Sequence, residues 1–516
     1  MRIPGMPQAT ETLPGAVAAS IARVNAAAWS EAAVLARESG CRLVAIWGAD
    51  HRDRDGKFSL FAAYATAQGL CVVELPVAAT QPTFPDLSGV FPAANRMQRA
   101  ARDLLGLVPE GDDVDSRAWL RHGAWREGEF PLRRDFARAA PPDPAPDSYA
   151  FVRVEGDGVH EIAVGPIHAG IIEPGHFRFS VVGEKVLRLE AHLGYVHKGI
   201  DKRFEDFAVA DGHRLAGRVS GDSTVAYAWA YAQAAEAALV VRPPPRALWL
   251  RALMLERERV ANHLGDLGAL GNDGGFAFAL AQFMRLKEDW LRANEAAFGH
   301  RFMMDRVVPG GVDVDPDPAR LAQFAQQARE ISQEVRALHR IFDEHSGLQD
   351  RFLSAGQVSP SLAHELGLTG LAGRASGQSH DLRVDHPAAP YDTLKVKKVI
   401  YQAGDVAARV NARFDEVDES LRLVAAIVEG MPAGDVRVAL PEPRDGAFGL
   451  GWIEGWRGAV LVALEAGAGA RIRRCHAHDP SWHNWPVIEH AVMGNIVPDF
   501  PLINKSFNLS YSGVDC

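Results

Sequence analysis

Ala139-Ala-Pro-Pro-Asp-Pro-Ala-Pro-Asp147 divides the chain, and the sequence on either side of it has a different periodicity. Its prolines fix φ and donate no backbone hydrogen bond, so the stretch stays extended and suits a linker. A chain of 516 residues exceeds what one hydrophobic core usually serves. Ahead of the linker, residues 12–39 carry an Ala-rich helical pattern. Arg42-Leu-Val-Ala-Ile-Trp, Phe58-Ser-Leu-Phe-Ala-Ala-Tyr and Leu70-Cys-Val-Val-Glu-Leu then read as short strands. Behind it, Phe151-Val-Arg-Val and His160-Glu-Ile-Ala-Val alternate like strands, and residues 177–193 hold two more around the Gly183-Glu184 turn. Helical patterns then dominate at 224–240, 247–270, 275–298, 318–345 and 393–429, before strand-like runs return at 437–474. The expected fold class is α+β: a small α+β unit at 1–136, a linker at 137–149, and a mainly helical unit at 150–516 with β segments at both ends.

Composition narrows the function. A formal net charge of −10 disfavours nucleic acid, which asks for a basic face. No run approaches the roughly 20 apolar residues that span a bilayer. Met1-Arg-Ile-Pro-Gly-Met-Pro has no continuous apolar core of the kind a signal peptide carries. Cys41, Cys71, Cys475 and Cys516 are far apart in sequence and give neither a disulfide framework nor a C-x-x-C metal knuckle. Gly271-Asn-Asp-Gly-Gly275 lacks the strand-Gly-x-Gly-x-x-Gly-helix order of a dinucleotide site.

Widely spread residues carry a resemblance. They include Gly165-Pro-Ile-His168, Glu173-Pro-Gly-His-Phe-Arg178, Gly194-Tyr-Val-His197-Lys-Gly-Ile-Asp201-Lys and Glu258-Arg-Val-Ala-Asn262-His263. Pro309-Gly-Gly311, Gly373-Arg374-Ala-Ser-Gly377, Asp381-Leu-Arg383, Glu454-Gly-Trp-Arg457-Gly458 and Asn484-Trp-Pro486 extend it. On these residues the second unit resembles the large subunit of group 4 nickel-iron hydrogenases, of the formate hydrogenlyase and hydrogenase-4 types, and its homologue in the quinone module of respiratory complex I. Phe91-Pro-Ala-Ala-Asn95, Asp103-Leu-Leu-Gly106 and Phe130-Pro-Leu-Arg133-Arg-Asp135-Phe136 make the first unit similar to the complex I 30-kDa-type companion subunit.

The resemblance also shows a departure. Where the hydrogenases place two C-x-x-C pairs, this chain has Ser220, Ser223, Ser510 and Gly513. Thiolates suit nickel and low-valent iron because they are soft and deprotonate readily; a serine hydroxyl is hard and stays protonated. The residues therefore argue against a nickel-iron centre, and no metal ligand is assigned. In the complex I branch a tyrosine and a histidine serve the quinone, but the tyrosine position corresponds to Gly221 and the histidine position falls near Ile172 and Glu173. Quinone stays as an alternative.

Titratable groups remain. The resemblance implies a proton-passing role for Glu173. Asp222, between the two altered positions, reads as a relay partner, with a raised pKa if the two carboxylates share a pocket, as the cap of the helix starting near Thr224, or as a plain surface or ion-pair residue. His168, a third proton-relay candidate, and His197, taken as a cofactor-side residue, are open between pH-responsive groups and locally satisfied ones. Arg218 resembles an arginine facing the nearest iron-sulfur cluster of a partner, where a positive charge raises the cluster's potential; the alternative is an ion pair. His476, His478 and His483 read as structural. What the resemblance implies is a subunit of a membrane-bound oxidoreductase complex on the cytoplasmic side of the plasma membrane, peripheral and held by partners. Those partners are an iron-sulfur small subunit, a ferredoxin-like subunit, and antiporter-like and anchor membrane subunits. Two alternatives are a quinone-reducing subunit and a redox-inert scaffold.

Overall fold

The computed structural model describes residues 1–121, 125–126, 128–137, 149–168 and 172–516. Apart from its two end residues, the linker expected at 137–149 lies outside the described residues. The first unit is a five-stranded sheet in the order Glu11–Thr12, Ala19–Arg23, Gly69–Ala78, Lys57–Thr66, Arg42–His51. All neighbours are antiparallel except Ala19–Arg23 against Gly69–Ala78. The helix expected over residues 12–39 occupies only Ala26–Glu38. Residues 19–23 are instead drawn into the sheet by pairing with 70–74, and Asn25 starts the helix by accepting the Ala28 N–H at 3.0 Å. Tertiary pairing thus overrides the helix propensity of alanine.

One face of this sheet presents Trp47, Phe61, Ala63 and Val72 to Leu450, Trp452, Leu461 and Ala463 of the second unit. Polar contacts lock the same seam. Arg474 donates to the Gly48 carbonyl at 2.9 Å, Arg473 donates to the Asp50 carbonyl at 3.0 Å, and His51 pairs with Glu465 at 2.7 Å.

The second unit opens with a three-stranded antiparallel sheet, Val159–Val164, His176–Val182 and Lys185–His192. The strand expected at Phe151-Val-Arg-Val does not form. That segment is held by side chains instead: Val152 N–H donates to Glu190 at 3.0 Å, and Arg178 lies over the Phe151 ring at 4.6 Å. Helices Thr224–Leu239, Pro245–Asp273, Ala277–Phe298, Pro318–Glu344 and Val406–Gly430 build the bundle. The single helix expected at 393–429 begins only at Val406, because Asp405 caps it through the Ala408 N–H at 2.8 Å. Strands Phe448–Glu454, Ala459–Ala466 and Ile472–His478 close the unit.

Helix Thr224–Leu239 positions the site. It is buried along its whole length. Its alanines lie so close to strand Phe448–Glu454 that a Cβ at Gly451 would sit 1.7 Å from the Ala230 carbonyl oxygen. The Gly-Leu-Gly stretch of that strand and the Ala-rich helix are therefore a matched pair. Their contact carries the helix N-terminus, with residues 220–223 just ahead of it, against the C-terminal segment 508–516.

Candidate functional site

Ser220, Ser223 and Ser510 are buried together in the core. The Gly513 N–H donates to Ser510 Oγ at 2.9 Å, Ser510 Oγ lies 3.0 Å from Ser220 Oγ, and Ser220 O–H donates to Asp222 Oδ1 at 2.9 Å. Only one orientation uses every donor in this ladder. The amide feeds Ser510, Ser510 feeds Ser220, and Ser220 feeds the carboxylate, each bond polarising the next.

The acceptor end is fixed by Arg457, whose guanidinium makes a bidentate pair with Asp222, one arm at 2.6 Å. Arg457 also donates to Ser223 Oγ at 3.2 Å and to the Asn508 carbonyl at 2.5 Å. Asn262 and Trp456 both donate to the Asp222 carbonyl oxygen, at 2.7 and 3.0 Å. Burial pushes the Asp222 carboxyl up, but Arg457 and the Ser220 hydroxyl outweigh it and hold the group below its ordinary value. Asp222 is thus a standing anion. This corrects the relay and cap readings, since its pKa is not raised and it caps nothing, while the ion-pair alternative is the geometry found. The amides of Val225 and Ala226 are taken instead by Glu258 from the neighbouring helix, at 2.6 and 3.1 Å. Burial pushes Glu258 up to about 8 against the pull of those two amides, with Asp222 adding to the push.

Glu173 lies at the other end. It is exposed, and its carboxylate accepts the Ser512 N–H at 3.1 Å. Ser512 Oγ is 3.5 Å from Ser510 Oγ, so Glu173 and Asp222 flank the serine cluster rather than share one pocket. Beneath Glu173 sits Asp515, 1% exposed, accepting the Gly194 and Val196 amides, each at 3.0 Å, through Oδ2. Its Oδ1 has no partner among the described residues, and burial, with a contribution from Glu173, pushes its pKa up to about 7. His197, expected on the cofactor side, braces the C-terminal segment instead, its Nδ1 meeting the Asp515 carbonyl at 2.9 Å. His168 is half-buried in the loop that packs on the Glu173-Pro-Gly turn through Gly165 and Gly175. Arg218 is 45% exposed and makes a two-armed pair with Asp305, at 2.6 and 2.8 Å. The ion-pair alternative is the geometry found, although on the surface rather than buried.

Behind the ladder runs a buried ionic seam. Helix Pro245–Asp273 presents Glu256, Arg259, His263 and Asp266 along one face, and helix Val406–Gly430 answers with Arg413, Glu416 and Ser420. Arg374, Asp381, Arg383 and Glu454 join them. Asp266 receives Asn508 at 2.7 Å, which brings the seam to the residue whose carbonyl Arg457 holds.

A nickel-iron centre does not fit these residues. The hydroxyls are hard, neutral donors already committed to one another and to Asp222. At Gly513 even a Cβ would come 2.7 Å from the Asp479 carboxylate, so the fourth ligand position is filled by a neighbour. Among the described residues no three His, Cys, Asp or Glu side chains converge to hold a metal. His476 pairs with Asp201 at 3.2 Å and His483 meets the Val44 carbonyl at 2.8 Å, so the histidine cluster faces different partners. A Cβ at Gly221 meets nothing within 4 Å, but the cleft it borders, with Lys287 and Arg301, encloses only ≈ 10 Å³. That is room for about one water, far below the roughly 300 Å³ of common small-molecule pockets.

The sequence motifs contain Arg457 and Glu258 without revealing a role for either, and nothing in them singles out Ser512 or Asp515. An aspartate set among buried groups demands a cation, which is the available signal for Arg457.

The architecture is that of a fused respiratory-chain large subunit. Residues 22–142 match the 30-kDa subunit family of respiratory-chain NADH dehydrogenase, and residues 273–445 match its 49-kDa subunit family. The chain is 30% identical over 480 residues to hydrogenase-4 component G of Escherichia coli (strain K12), covering 92% of this chain and 83% of that protein. It is 29% identical over 486 residues to formate hydrogenlyase subunit 5 of the same organism, covering 93% and 85%. A chain of the membrane-bound sulfane sulfur reductase, an archaeal respiratory membrane complex, has the same fold, with a TM-score of 0.66 at 24% identity over 70% of this chain and 99% of that one. The protein belongs to the family of fused large subunits that includes hydrogenase-4 component G.

Proposed function

We propose that this chain is the large subunit of a membrane-bound, hydrogenase-4-like or complex-I-like oxidoreductase complex and works without a nickel-iron centre of its own. The observation that carries the reading is the closed ladder from Gly513 through Ser510 and Ser220 to the Asp222–Arg457 pair. It fills the place where metal ligands would converge with a self-satisfied polar network. No described helix is long and apolar enough to cross a membrane, so attachment is assigned to partners. On the cytoplasmic side of the plasma membrane those are an iron-sulfur small subunit, a ferredoxin-like subunit, and antiporter-like and anchor subunits. Ile167, 96% exposed, and Ile172, 41% exposed, precede Glu173 in the chain and offer exposed apolar side chains to such a partner. Arg218 is exposed enough to face the partner's cluster, its charge largely offset by Asp305.

In this reading electrons pass through the partner's cluster, and this chain's acids respond. Asp222 and Arg457 supply a fixed dipole. Glu173 and Asp515 lie on the route of the proton movement that couples electron transfer to proton or cation translocation. A Glu173→Gln variant of the assembled complex should lose about tenfold or more of its ion translocation per electron, in keeping with the loss of a positioned proton donor. Unchanged translocation in that variant would sink the coupling role. Elemental analysis of the wild-type complex should find no stoichiometric nickel, and one nickel per chain would overturn the central statement. Quinone reduction is the second reading; a Cβ at the exposed Gly221 meets nothing within 4 Å, so a headgroup would have to approach from the surface there rather than enter a formed pocket. Saturable inhibition by quinone analogues, abolished by Gly221→Trp, would favour it.

A further inference from the structure

His478 is fully buried on the seam between the two units, and neither of its ring nitrogens has a hydrogen-bond partner among the described residues. It lines two small cavities at once. The outer one encloses ≈ 50 Å³ and is bordered also by Arg42, Glu365 and His380; the inner one encloses ≈ 30 Å³ and reaches Asp201, His476, Trp482 and Cys516. Neither has room for an organic molecule, since common small-molecule sites measure roughly 300 Å³ and upward. A water needs about 10–15 Å³ of enclosed space, so the outer cavity has room for about three to five waters and the inner one for about two or three. The outer cavity meets solvent where Glu365 is exposed and Arg42 half-buried.

The inner cavity has a polar wall that asks for water. Asp201 is buried, and its Oδ2 accepts from Arg474 at 2.8 Å and lies 3.2 Å from His476 Nδ1, while its Oδ1 is unmet. His476 Nε2 and Trp482 Nε1 are unmet as well. A buried donor or acceptor left unmet keeps its full desolvation cost. The opposite wall is apolar, with Leu104, Leu120 and Leu132, and a cavity lined only by such residues stays dry. Here Asp201, His476, His478 and Trp482 tip the balance, because together they supply the several polar partners that a buried water requires. Water also suits the mixture, since it donates to the carboxylate and accepts from the indole. A metal ion does not, because among the described residues no three His, Cys, Asp or Glu side chains converge to hold one.

Burial, reinforced by His483 and His476, holds His478 well below its ordinary pKa, so the ring is neutral and carries one donor and one acceptor. We propose that both cavities hold ordered water and that this water, with His478 between the two parts, carries protons from the surface at the seam to the C-terminal segment at Cys516 and Asp515. A proton arriving from the outer water binds one ring nitrogen, and the proton on the other nitrogen leaves to the inner water. The ring ends neutral, and one proton has crossed. The path gives the C-terminal segment a second access to solvent besides the exposed Glu173. Its purpose rests on the proton-coupled reading above; the water itself does not.

The test uses the purified full-length chain and has two readouts. A crystallographic map that shows individual waters should place about two in the inner cavity, one of them within hydrogen-bond distance of Asp201 Oδ1. An inner cavity without water would overturn the proposal. Proton delivery is read at the Cys516 thiol, whose S–H infrared band is told apart from those of the three other buried cysteines by Cys516→Ala. On transfer to heavy water this band should exchange about tenfold or more slowly in His478→Phe than in wild type. His478→Gln should be as slow, because glutamine keeps a donor and an acceptor for the water but passes no proton through itself. Equal exchange in wild type and His478→Phe, or full rescue by glutamine, would sink the relay role. Neither readout involves the assembled complex, so a failed Glu173→Gln translocation test leaves both standing, and a dry cavity leaves that translocation test standing.

Discussion

An Arg374→Met variant should unfold about 3–5 kcal/mol more easily than wild type, the penalty typical of stripping one partner from a buried ionic group. Arg374 is 1% exposed and serves two carboxylates at once: Glu416, at 2.6 and 3.0 Å, and Glu454, at 2.8 Å. It also donates to the His380 carbonyl at 3.0 Å. Burial pushes Glu416 up, yet Arg374, His263 and Arg259 together hold it well below its ordinary value. With methionine in place, Arg259 at 3.8 Å is the cation left near Glu416, beside the His263 imidazole at 3.0 Å, which burial holds below its ordinary pKa. Glu454 has less to lose. Burial and the nearby Asp381 already raise its pKa, so it takes up a proton when Arg374 is gone. The destabilisation should therefore shrink on acidification, and urea midpoints at two pH values read this directly. A variant within about 1 kcal/mol of wild type at both pH values would mean that the seam does not hold the bundle together.

This seam also shows how much of the molecule is legible in the sequence. Gly373-Arg374, Asp381-Leu-Arg383 and Glu454-Gly-Trp-Arg457 read as separate motifs, and in space they are one cluster. The two-unit plan, the hairpin at Gly183-Glu184 and the long bundle helices are readable because each depends on local periodicity. Pairing across hundreds of residues is not. Asp222 meets Arg457 over 235 positions, and Arg474 meets Gly48 over 426. Periodicity in one segment carries no information on a partner so far away. The helix start at Ala26 escapes a local reading for the same reason, since the sheet edge that claims residues 19–23 is closed by residues 70–74. The altered positions themselves are legible as chemistry. That hydroxyls bond to each other and to Asp222, and that Asp479 fills the space at Gly513, depends on packing.

Asp515→Asn should make the protein more stable above neutrality and less stable by about 1 kcal/mol in acid, where only the cost of its unmet donor remains. In the fold, the Asp515 carboxyl is pushed to about 7 from its ordinary 3.8, chiefly by burial. A raised carboxyl pKa means that the native state holds a proton which the unfolded chain has released, so between about pH 4 and 7 unfolding sheds a proton and stability falls as pH rises. Below both pKa values the two states carry the same proton and the penalty vanishes. Above about 7 the penalty is complete, and the gap from 3.8 to about 7 corresponds to about 4 kcal/mol. Asparagine never ionises, keeps an oxygen for the Gly194 and Val196 amides, and places its NH₂ where Oδ1 now has no partner among the described residues. That unmet donor takes back about 1 kcal/mol or more, leaving an expected gain of roughly 2–3 kcal/mol at pH 8. Comparing variant with wild type cancels the many depressed carboxylates, such as Glu416 and Asp266, whose linkage runs in the opposite direction. A stability difference that stays flat from pH 4 to 8 would show that Asp515 is ionised throughout. It would also remove Asp515 as a proton-holding group beside Glu173, because an acid that never exchanges its proton in this range cannot respond to electron transfer nearby.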